Sequence, residues 1–455
     1  MNQAVRSAVR RVSSSGHLRR VGPTAAALIA SQVMMALAGV VAARTLGPSG
    51  RGIVTAVIAW PLMLSYLSLF GIQSSSTVRI ANPGRSDLTA TLGGAVAFSL
   101  VAGGLVSLAA IAVLPSALSH LGPDAAVLTA WSLATIPLIM LTDILLAVNV
   151  ALGRVTVSNW CRVINAAVLL FGTLPLAVVH AVTPTRVVLL SIVANLPTFI
   201  YGAIGLPWRR MAISLPMLFE DLRFGIKAHC ASVLGIANFR LDVLLISAFM
   251  PASQLGYYGV ANNMMMPVMF GPAAAASLLT PRVASMDADG RGGIDRAQFA
   301  SIWTDVRRFG LVGIAGAGIV AACAPFLVPI VFGSGFEPVV VLVWVLLPGY
   351  VARNYAVMLT AGALGGRRPW VGNAVEGAGV LVTVTMLPLL LPRYEALGAA
   401  ITSTAAYSVS ALIAVLAIRR IQGRPRDFPA HSIKESERAA QPPTARTVNA
   451  GNPAT

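Results

Sequence analysis

The sequence is poor in charged residues, which make up 11% of its 455 residues, whereas 56% are hydrophobic and the mean hydropathy is +0.77. Soluble domains carry about 25% charged residues. A chain of this length with half that share cannot cover a water-facing surface, so the composition excludes a soluble enzyme and a disordered protein. It predicts one polytopic membrane protein, in which 41 glycines and 28 prolines are normal.

Cysteine is rare as well. The three cysteines, Cys161, Cys230 and Cys323, are far apart, and each stands beside apolar residues. An odd, scattered set without a CxxC pair excludes a disulfide framework, and buried, unreactive thiols are the interpretation.

Signatures of several enzyme classes are missing. The sequence has no GxxxxGK[ST] phosphate-binding loop, no GxSxG and no HExxH motif, and its five histidines do not cluster. We therefore expect no ATP-driven engine, no cofactor and no metal. Asp287 and Asp289 match the DxD of metal-dependent sugar transferases and the start of a calcium loop, but Gln298 stands at the twelfth position, where that loop needs Glu. We expect a solvated turn there, with a divalent-cation site as the alternative.

Long apolar runs dominate the chain. Crossing about 30 Å of hydrocarbon takes roughly 20 helical residues. Twelve stretches are long enough, and they predict an all-α membrane protein with helices near 23–43, 53–73, 88–114, 125–150, 160–180, 185–206, 225–249, 255–280, 308–332, 338–363, 371–391 and 395–418. The first run exceeds the apolar core of a cleaved signal peptide, about 7–15 residues, so it predicts a retained helix.

Lysine is nearly absent, and the 33 basic residues alternate from loop to loop. Of these, 27 fall on the side of the N-terminus, four fall on the other side, and two, Arg240 and Arg353, lie within helices. The positive-inside rule then predicts that both termini are cytoplasmic. Arginine (31) far exceeds lysine (2), as is typical of a GC-rich bacterial genome, so we expect the plasma membrane of a bacterium. Nucleic-acid binding is not expected, because no aromatic platform or reading motif accompanies the basic residues.

Six helices lie on each side of the longest basic loop before the midpoint, which predicts two six-helix bundles around a central cleft. A weak similarity between residues 50–55 and 256–261, which open helices 2 and 8, favours a repeat. The predicted organisation is a basic cytoplasmic N-terminus (1–22), an N lobe (23–206), a cytoplasmic linker (207–224), a C lobe (225–420) and a disordered cytoplasmic tail (421–455).

Charged residues inside the spans are the first candidates for function, because each costs several kcal/mol unless it is paired or faces water. They are Asp143, Arg240, Asp242, Arg353 and Glu376. Arg240 and Asp242 are two residues apart and point away from each other on a helix. One interpretation is a cationic site in which arginines bind an anionic substrate. The other is a set of interhelical ion pairs, for example either arginine with Asp143 or Glu376.

Uncharged polar residues inside the spans also have two interpretations. They either line a hydrated cleft or form interhelical hydrogen bonds, which are worth about 0.6 kcal/mol each on average. The residues are Gln32, Gln73, Ser74, Ser75, Ser76, Asn149, Asn165, Asn195, Asn238, Asn262, Asn263, Asn354 and Asn373.

Six short motifs, in this order and spacing, resemble those of a known family. They lie at residues 43–50, 240–245, 256–261, 335–338, 364–368 and 392–400. Over residues 20–420 the chain resembles the polysaccharide (O-antigen type) flippases of the multidrug/oligosaccharidyl-lipid/polysaccharide (MOP) exporter superfamily. Twelve predicted helices argue against its lipid II flippases, which usually have fourteen.

The resemblance implies two lobes around an inverted-V cleft and the flipping of a polyprenyl-pyrophosphate-linked sugar to the outer leaflet. It implies that cleft arginines meet the pyrophosphate or acidic sugars, which indicates Arg240 and Arg353, together with Asn354. Asp143, Asp242 and Glu376 are then candidates for ion coupling or interhelical pairing.

Three further expectations concern alternatives and partners. A cation-coupled drug or small-molecule antiporter of the same superfamily would bind its cargo through cleft acids. An integral-membrane glycosyltransferase or polymerase is the alternative from another class, although the predicted outside loops are short for that chemistry. If the chain is a flippase, its partners are the lipid-linked sugar, membrane lipid and possible contacts with a polysaccharide polymerase or glycosyltransferases.

Overall fold

The computed structural model describes residues 16–81, 87–122, 124–286 and 296–421, and within these ranges all regular structure is helical. The α-helices are α1 (Gly16–Ser68), α2 (Ile72–Ala81), α3 (Leu88–Ala117), α4 (Ala125–Leu133), α5 (Ile136–Ala151), α6 (Val155–Val178), α7 (Pro184–Ala203), α8 (Leu215–Phe249), α9 (Ala252–Met286), α10 (Arg296–Phe332), α11 (Pro338–Gly365) and α12 (Trp370–Ile421). Residues 1–15, the loop with Asp287 and Asp289, and the tail from residue 422 lie outside the described ranges.

The helices account for the twelve predicted crossings. In the described residues, nine helices are long and apolar enough to span a membrane, or ten when α4 and α5, bent by 41°, count as one. Two of them, α1 and α12, are 53 and 52 residues long, and each is broken into two arms, at Gly47 (φ 68°) and Glu395 (φ 49°). Counting these arms separately gives twelve crossings. The all-α, membrane-spanning fold expected from hydropathy is therefore confirmed.

The two breaks have local causes. At Gly47 the chain adopts a positive φ, a conformation that favours glycine. Pro48 then occupies the first turn of the second arm, where proline is well tolerated. At Glu395 a neighbouring helix holds the break in place. The Gln254 amide donates to the Glu395 carboxylate, and its oxygen accepts the Ala396 N–H at 3.4 Å.

The crossings alternate in direction, so the helix ends form two faces. One face, the basic end, carries the loops at 152–154, 204–214 and 366–369 together with the end of α12. The other face, the distal end, carries both helix breaks, residues 118–122 and the loops at 179–183 and 333–337. Among the described residues, the arginines of the basic end are Arg79, Arg154, Arg209, Arg210, Arg223, Arg282, Arg307, Arg308, Arg367, Arg368, Arg419 and Arg420. Those of the distal end are Arg44, Arg186 and Arg393.

The apolar cores show how the two bundles, the N lobe (α1–α7) and the C lobe (α8–α12), meet. In the basic half, one core contains residues of the C lobe alone, and another contains the N lobe and the first turns of α8. In the distal half a single core joins both, with Ala43, Ala56 and Leu121 packed among Leu255 and Phe336. Apart from the first turns of α8, which pack on the N lobe, the lobes are therefore joined at the distal end and separate at the basic end, which leaves a cleft between them.

Glycines bring the lobes into backbone contact at the distal end. A Cβ placed on Gly52 would lie 1.7 Å from the carbonyl oxygen of Ala252, and one on Gly256 would lie 2.0 Å from that of Pro48. Only residues without a side chain permit such an approach. These reciprocal contacts between α1 and α9 close the cleft at its distal end.

The segment expected to link the lobes is partly helical. Helix α8 begins at Leu215, so residues 215–224, predicted to be linker, form its first turns. They are tied to the N lobe, because Arg79 contacts Asp221 at 2.7 Å and Glu220 at 3.2 Å. The prediction placed the helix start too late because Glu220, Asp221 and Arg223 interrupt this first segment, whereas hydropathy marks only the uncharged part that lies in hydrocarbon.

Candidate functional site

The cleft between the lobes consists of two adjoining cavities. The basic-end chamber has a volume of about 610 Å³ and is lined by α1, α5, α6, α7 and α8. The distal chamber, about 330 Å³, adds residues of α4 and α9. Met35, Ile139, Asn165, Asn195 and Arg240 line both, so the two chambers form one path. Volumes of this size are typical of small-molecule sites.

Helical periodicity turns the polar side chains of α6 and α7 into this path. Arg162, Asn165 and Thr173 lie on one face of α6, while Asn195 and Thr198 lie on one face of α7. Residues three, four and seven apart share a helix face, which explains why these side chains meet in one cavity. The cleft is therefore lined by amides, hydroxyls and guanidinium groups within an otherwise apolar bundle.

Three arginines, Arg51, Arg162 and Arg240, line the cleft. Within the described ranges, their guanidinium groups donate no hydrogen bond to the protein and have no carboxylate within 4 Å; Asp143 is the acid of the described cleft lining. Three positive charges against one negative charge leave the cleft formally cationic. An intramembrane charge without a partner is a functional candidate, because hydrocarbon does not solvate it.

Arg240 occupies the central position. It lines both chambers. Its guanidinium carbon lies 5.2 Å from the ring centre of its neighbour Phe239, and its side chain is exposed to the cleft. A guanidinium held this way keeps its five donors free for a ligand.

Arg353 lies elsewhere, inside the C lobe. It is 8% exposed, its Nη1 lies 3.4 Å from Glu376 Oε2, and its guanidinium stacks 5.0 Å from the ring centre of Tyr407 and 5.4 Å from that of Phe239. Glu376 also accepts a 2.7 Å hydrogen bond from Asn238. The structure thus places Arg353 and Glu376 in an interhelical ion pair, away from the walls of both chambers.

Asn354 does not line the cleft either. Its side-chain amide donates to the carbonyl of Val268 in α9 at 3.0 Å, and the residue is 2% exposed. Because the amide satisfies a backbone acceptor in a neighbouring helix, its contact in this conformation is with the protein and not with a cavity.

Asp242 is buried in the core of the C lobe at 3% exposure. Its carboxylate accepts hydrogen bonds from the Tyr258 hydroxyl, from Ser403 Oγ at 3.1 Å and from the Val243 N–H at 2.7 Å. Of the five intramembrane charges expected from sequence, only Arg240 and Asp143 therefore share the cleft.

Two cleft arginines were not predicted as site residues. Arg51 was assigned to the loop before the helix predicted from residue 53, and Arg162, at the start of the helix predicted from residue 160, was counted with the arginines of the loops. The structure starts α6 at Val155 and the second arm of α1 directly after Gly47, which carries both arginines into the bundle. Their helical spacing to Asn165 and Thr55 was the available signal.

The described residues do not form a metal centre of protein ligands. No group of three or more His, Cys, Asp and Glu side chains occurs in the ranges the structure covers. Asp287 and Asp289 lie in the loop outside those ranges, so a cation site at that loop stays untested.

Comparisons with known proteins agree with this architecture. A family model described as "Polysaccharide biosynthesis protein" matches residues 40–341, about two thirds of the chain. The chain belongs to this family. The resemblance seen in the six motifs is thereby confirmed at the level of the family. No curated protein sequence matches the chain.

Solved structures of the MOP superfamily share the fold. A multidrug resistance MATE family transporter in an inward-facing conformation has a TM-score of 0.69 at 13% identity, covering 90% of this chain and 96% of that one. The lipid II flippase MurJ, in an inward closed conformation, has a TM-score of 0.70 at 12% identity, covering 87% of each chain. An outward-facing MATE structure scores 0.58 at 13% identity, covering 88% and 93%. Chains this divergent share a fold, and the fold here is that of MOP transporters.

Proposed function

We propose that this member of the polysaccharide biosynthesis family is a flippase, which moves polyprenyl-pyrophosphate-linked oligosaccharides from the inner to the outer leaflet by alternating access. The observation that carries the proposal is the set of three arginines that line one intramembrane cleft without a protein partner among the described residues. The family supports polysaccharide as the product class, and the name of the MurJ relative supports a lipid-linked sugar as the cargo.

The electrostatics of the cleft suit this cargo. A pyrophosphate head carries at least two negative charges, and guanidinium groups bind phosphate through paired, charge-assisted hydrogen bonds. Amides such as Asn165 and Asn195 offer both donors and acceptors to sugar hydroxyls. The polyprenyl tail can remain in lipid while the head crosses the cleft, so the cleft needs to solvate only the polar part.

The proposal includes an orientation. The basic end carries most of the arginines, and the positive-inside rule places it in the cytoplasm of a bacterial cell. The cleft, closed at the distal end by Gly52 and Gly256, then opens towards the leaflet in which lipid-linked sugars would be supplied. Rocking of the lobes would open the distal end in its turn.

Reconstituted transport tests the proposal. Protein in liposomes would receive a fluorescent polyprenyl-pyrophosphate disaccharide, and its appearance in the opposite leaflet would be followed by an impermeant quencher. We expect Arg240→Gln and Arg162→Gln to lower the rate by at least about tenfold, since a hydrogen bond to a charged group is worth about 1.5–3 kcal/mol. Arg419→Gln, which alters an exposed arginine of the basic end, is the matched control and should leave the rate within twofold.

A drug or cation antiporter is the second candidate, and Asp143 is the observation that favours it. This carboxylate lines the basic-end chamber and has no cation within 4 Å among the described residues, so it could bind a cationic cargo or a coupling ion. If a cationic dye crosses, only Asp143→Asn stops it and the lipid-linked sugar stays in place, the protein is an antiporter and the flippase proposal is wrong.

A further inference from the structure

Arg51 occupies an unusual place in the distal chamber. It stands in the second arm of α1, between Gly50 and Gly52, and its side chain lines the cavity. Its Nε is shielded from solvent and lacks a hydrogen-bond partner among the described residues, as does the Nε of Arg353, but Arg51 differs in having no described carboxylate within 4 Å. A buried guanidinium nitrogen without an acceptor is costly, and such groups are rarely left unpaired.

The surroundings of Arg51 leave room for an anion. The end of its guanidinium lies beside Gly39 on the first arm of α1, where an added Cβ would be 3.6 Å from Nη2. Asn262 and Asn263 of α9 line the same chamber from the C lobe. The chamber thus offers two guanidinium groups, those of Arg51 and Arg240, and several amide donors, and no acid lines it within the described residues.

The backbone at Arg51 also forms the distal closure. The next residue, Gly52, packs on the carbonyl of Ala252, and Pro48 packs on Gly256. A ligand held by Arg51 therefore lies one residue from the contacts that join the lobes. Binding of a ligand to Arg51 can therefore affect the contacts between α1 and α9 directly, without a structural element in between.

We propose that Arg51 forms a second anion-binding subsite, at the closed end of the cleft, which receives a phosphate or carboxylate of the cargo before the distal end opens. The subsite is distinct from Arg162, which lines the basic-end chamber alone, because Arg51 lines the distal chamber next to the closure, whereas Arg240 lines both chambers. The identity of the bound anion rests on the proposed function: it is either the pyrophosphate or an acidic sugar of the cargo.

Transport of two cargoes separates these sources. Liposomes would receive polyprenyl-pyrophosphate carrying a neutral disaccharide or one with glucuronic acid. Arg51→Gln should lower transport at least tenfold. Loss for both cargoes assigns the pyrophosphate, and loss for the acidic cargo alone assigns the sugar. Arg393→Gln, an exposed distal-end arginine, is the control and should stay within twofold.

A tethered carboxylate tests the subsite without removing the arginine. Gly39→Asp would place its carboxylate within reach of the Arg51 guanidinium, whereas Gly39→Asn has the same shape and no charge. We expect Gly39→Asp to lower transport at least tenfold relative to Gly39→Asn, which fills the same space without a charge. This pair also separates a loss of anion binding from a failure to fold, because both variants retain Arg51.

Binding of free anions is the readout that does not depend on transport. Inorganic pyrophosphate and glucuronate would be added to purified wild type, Gly39→Asp and Arg51→Gln during thermal unfolding. At least one anion should stabilise the wild type more than either variant. If neither cargo crosses in the wild type but this difference is present, the flippase proposal fails and the subsite stands. If Arg51→Gln and Gly39→Asp transport both cargoes within twofold of wild type, or if the anions stabilise all three proteins equally, the subsite is refuted.

Discussion

The Arg353–Glu376 pair allows a sharp test of how a buried charge is used. Replacing Arg353 by Met would leave the Glu376 carboxylate with Asn238 as its remaining donor, in a site where Arg353 itself is 8% exposed. Breaking a buried ion pair by removing one partner costs about 3–5 kcal/mol, because the other charge is left uncompensated. We expect Arg353→Met to lower the free energy of unfolding by that amount.

The double variant should behave differently. Arg353→Met combined with Glu376→Met removes both charges and replaces them by apolar side chains, a change that is often neutral or stabilising at buried pairs. The double-mutant cycle should therefore give a coupling energy of at least about 2 kcal/mol, within the range seen for residues in direct contact. The rings of Tyr407 and Phe239, which flank Arg353, would pack against the new methionine.

Equilibrium unfolding in mixed micelles measures the stabilities, and the liposome assay measures transport on the same preparations. The structural role predicts that the double variant folds and transports at close to the wild-type rate. A coupling energy near zero would contradict the ion pair. A stable double variant without transport would show that Arg353 contacts the cargo, as the sequence first suggested.

Three further predictions follow from individual contacts. Tyr258→Phe removes a hydrogen bond to buried Asp242 and should lower the unfolding free energy by about 1.5–3 kcal/mol, whereas Tyr257→Phe, whose hydroxyl bonds to no described residue, should be nearly neutral in the same assay. Gly256→Ala should prevent distal closure, because its Cβ would lie 2.0 Å from the Pro48 carbonyl oxygen, and an impermeant thiol reagent should then reach an Asn262→Cys probe, with Gly316→Ala as the control. Asp87 caps α3 by accepting the Thr89 and Ala90 N–H groups, which lowers its pKa from the ordinary 3.8, so Asp87→Ala should cost about 1 kcal/mol at neutral pH. Because the folded pKa is lowered, this difference from wild type should be full above about pH 5, where the unfolded carboxyl is also ionised, and should be lost as the pH falls through the folded value.

The number of crossings was predictable because hydropathy is a strong signal over 20 residues. The helix starts were not, since apolar windows begin where hydrocarbon begins, and helices such as α6 and α8 start several residues earlier. This difference in helix start matters for the candidate site, because it determines whether an arginine is expected in a loop or in the lining of the cleft. Arg162 is the clearest instance: two residues into the predicted helix, it stands more than one turn inside the observed one.

The direction in which each buried charged side chain points, into the cleft or into the protein, could not be predicted from the sequence either. Arg240 and Arg353 both stand mid-helix among apolar residues, and nothing local distinguishes them. The partner of Arg353 is 23 residues away on another helix, and its second aromatic neighbour comes from α12. The similarity between residues 50–55 and 256–261 was interpreted only as evidence of a repeat. In the structure these two segments also provide the glycines that close the distal end.

The intramembrane arginines of this fold differ in whether a carboxylate pairs with them, and not in how far they lie inside the membrane. Arg353 is enclosed by a carboxylate and two aromatic rings, so the protein itself offsets the cost of its burial. Arg51, Arg162 and Arg240 have no carboxylate within 4 Å among the described residues, although the Arg240 guanidinium lies 5.2 Å from the ring centre of Phe239, and an unpaired charge costs several kcal/mol in hydrocarbon. A fold that retains three of them along one path must recover that cost from what enters the cleft. Water does so in part, and an anionic head group does so more fully, because it replaces each missing acceptor with a charged one.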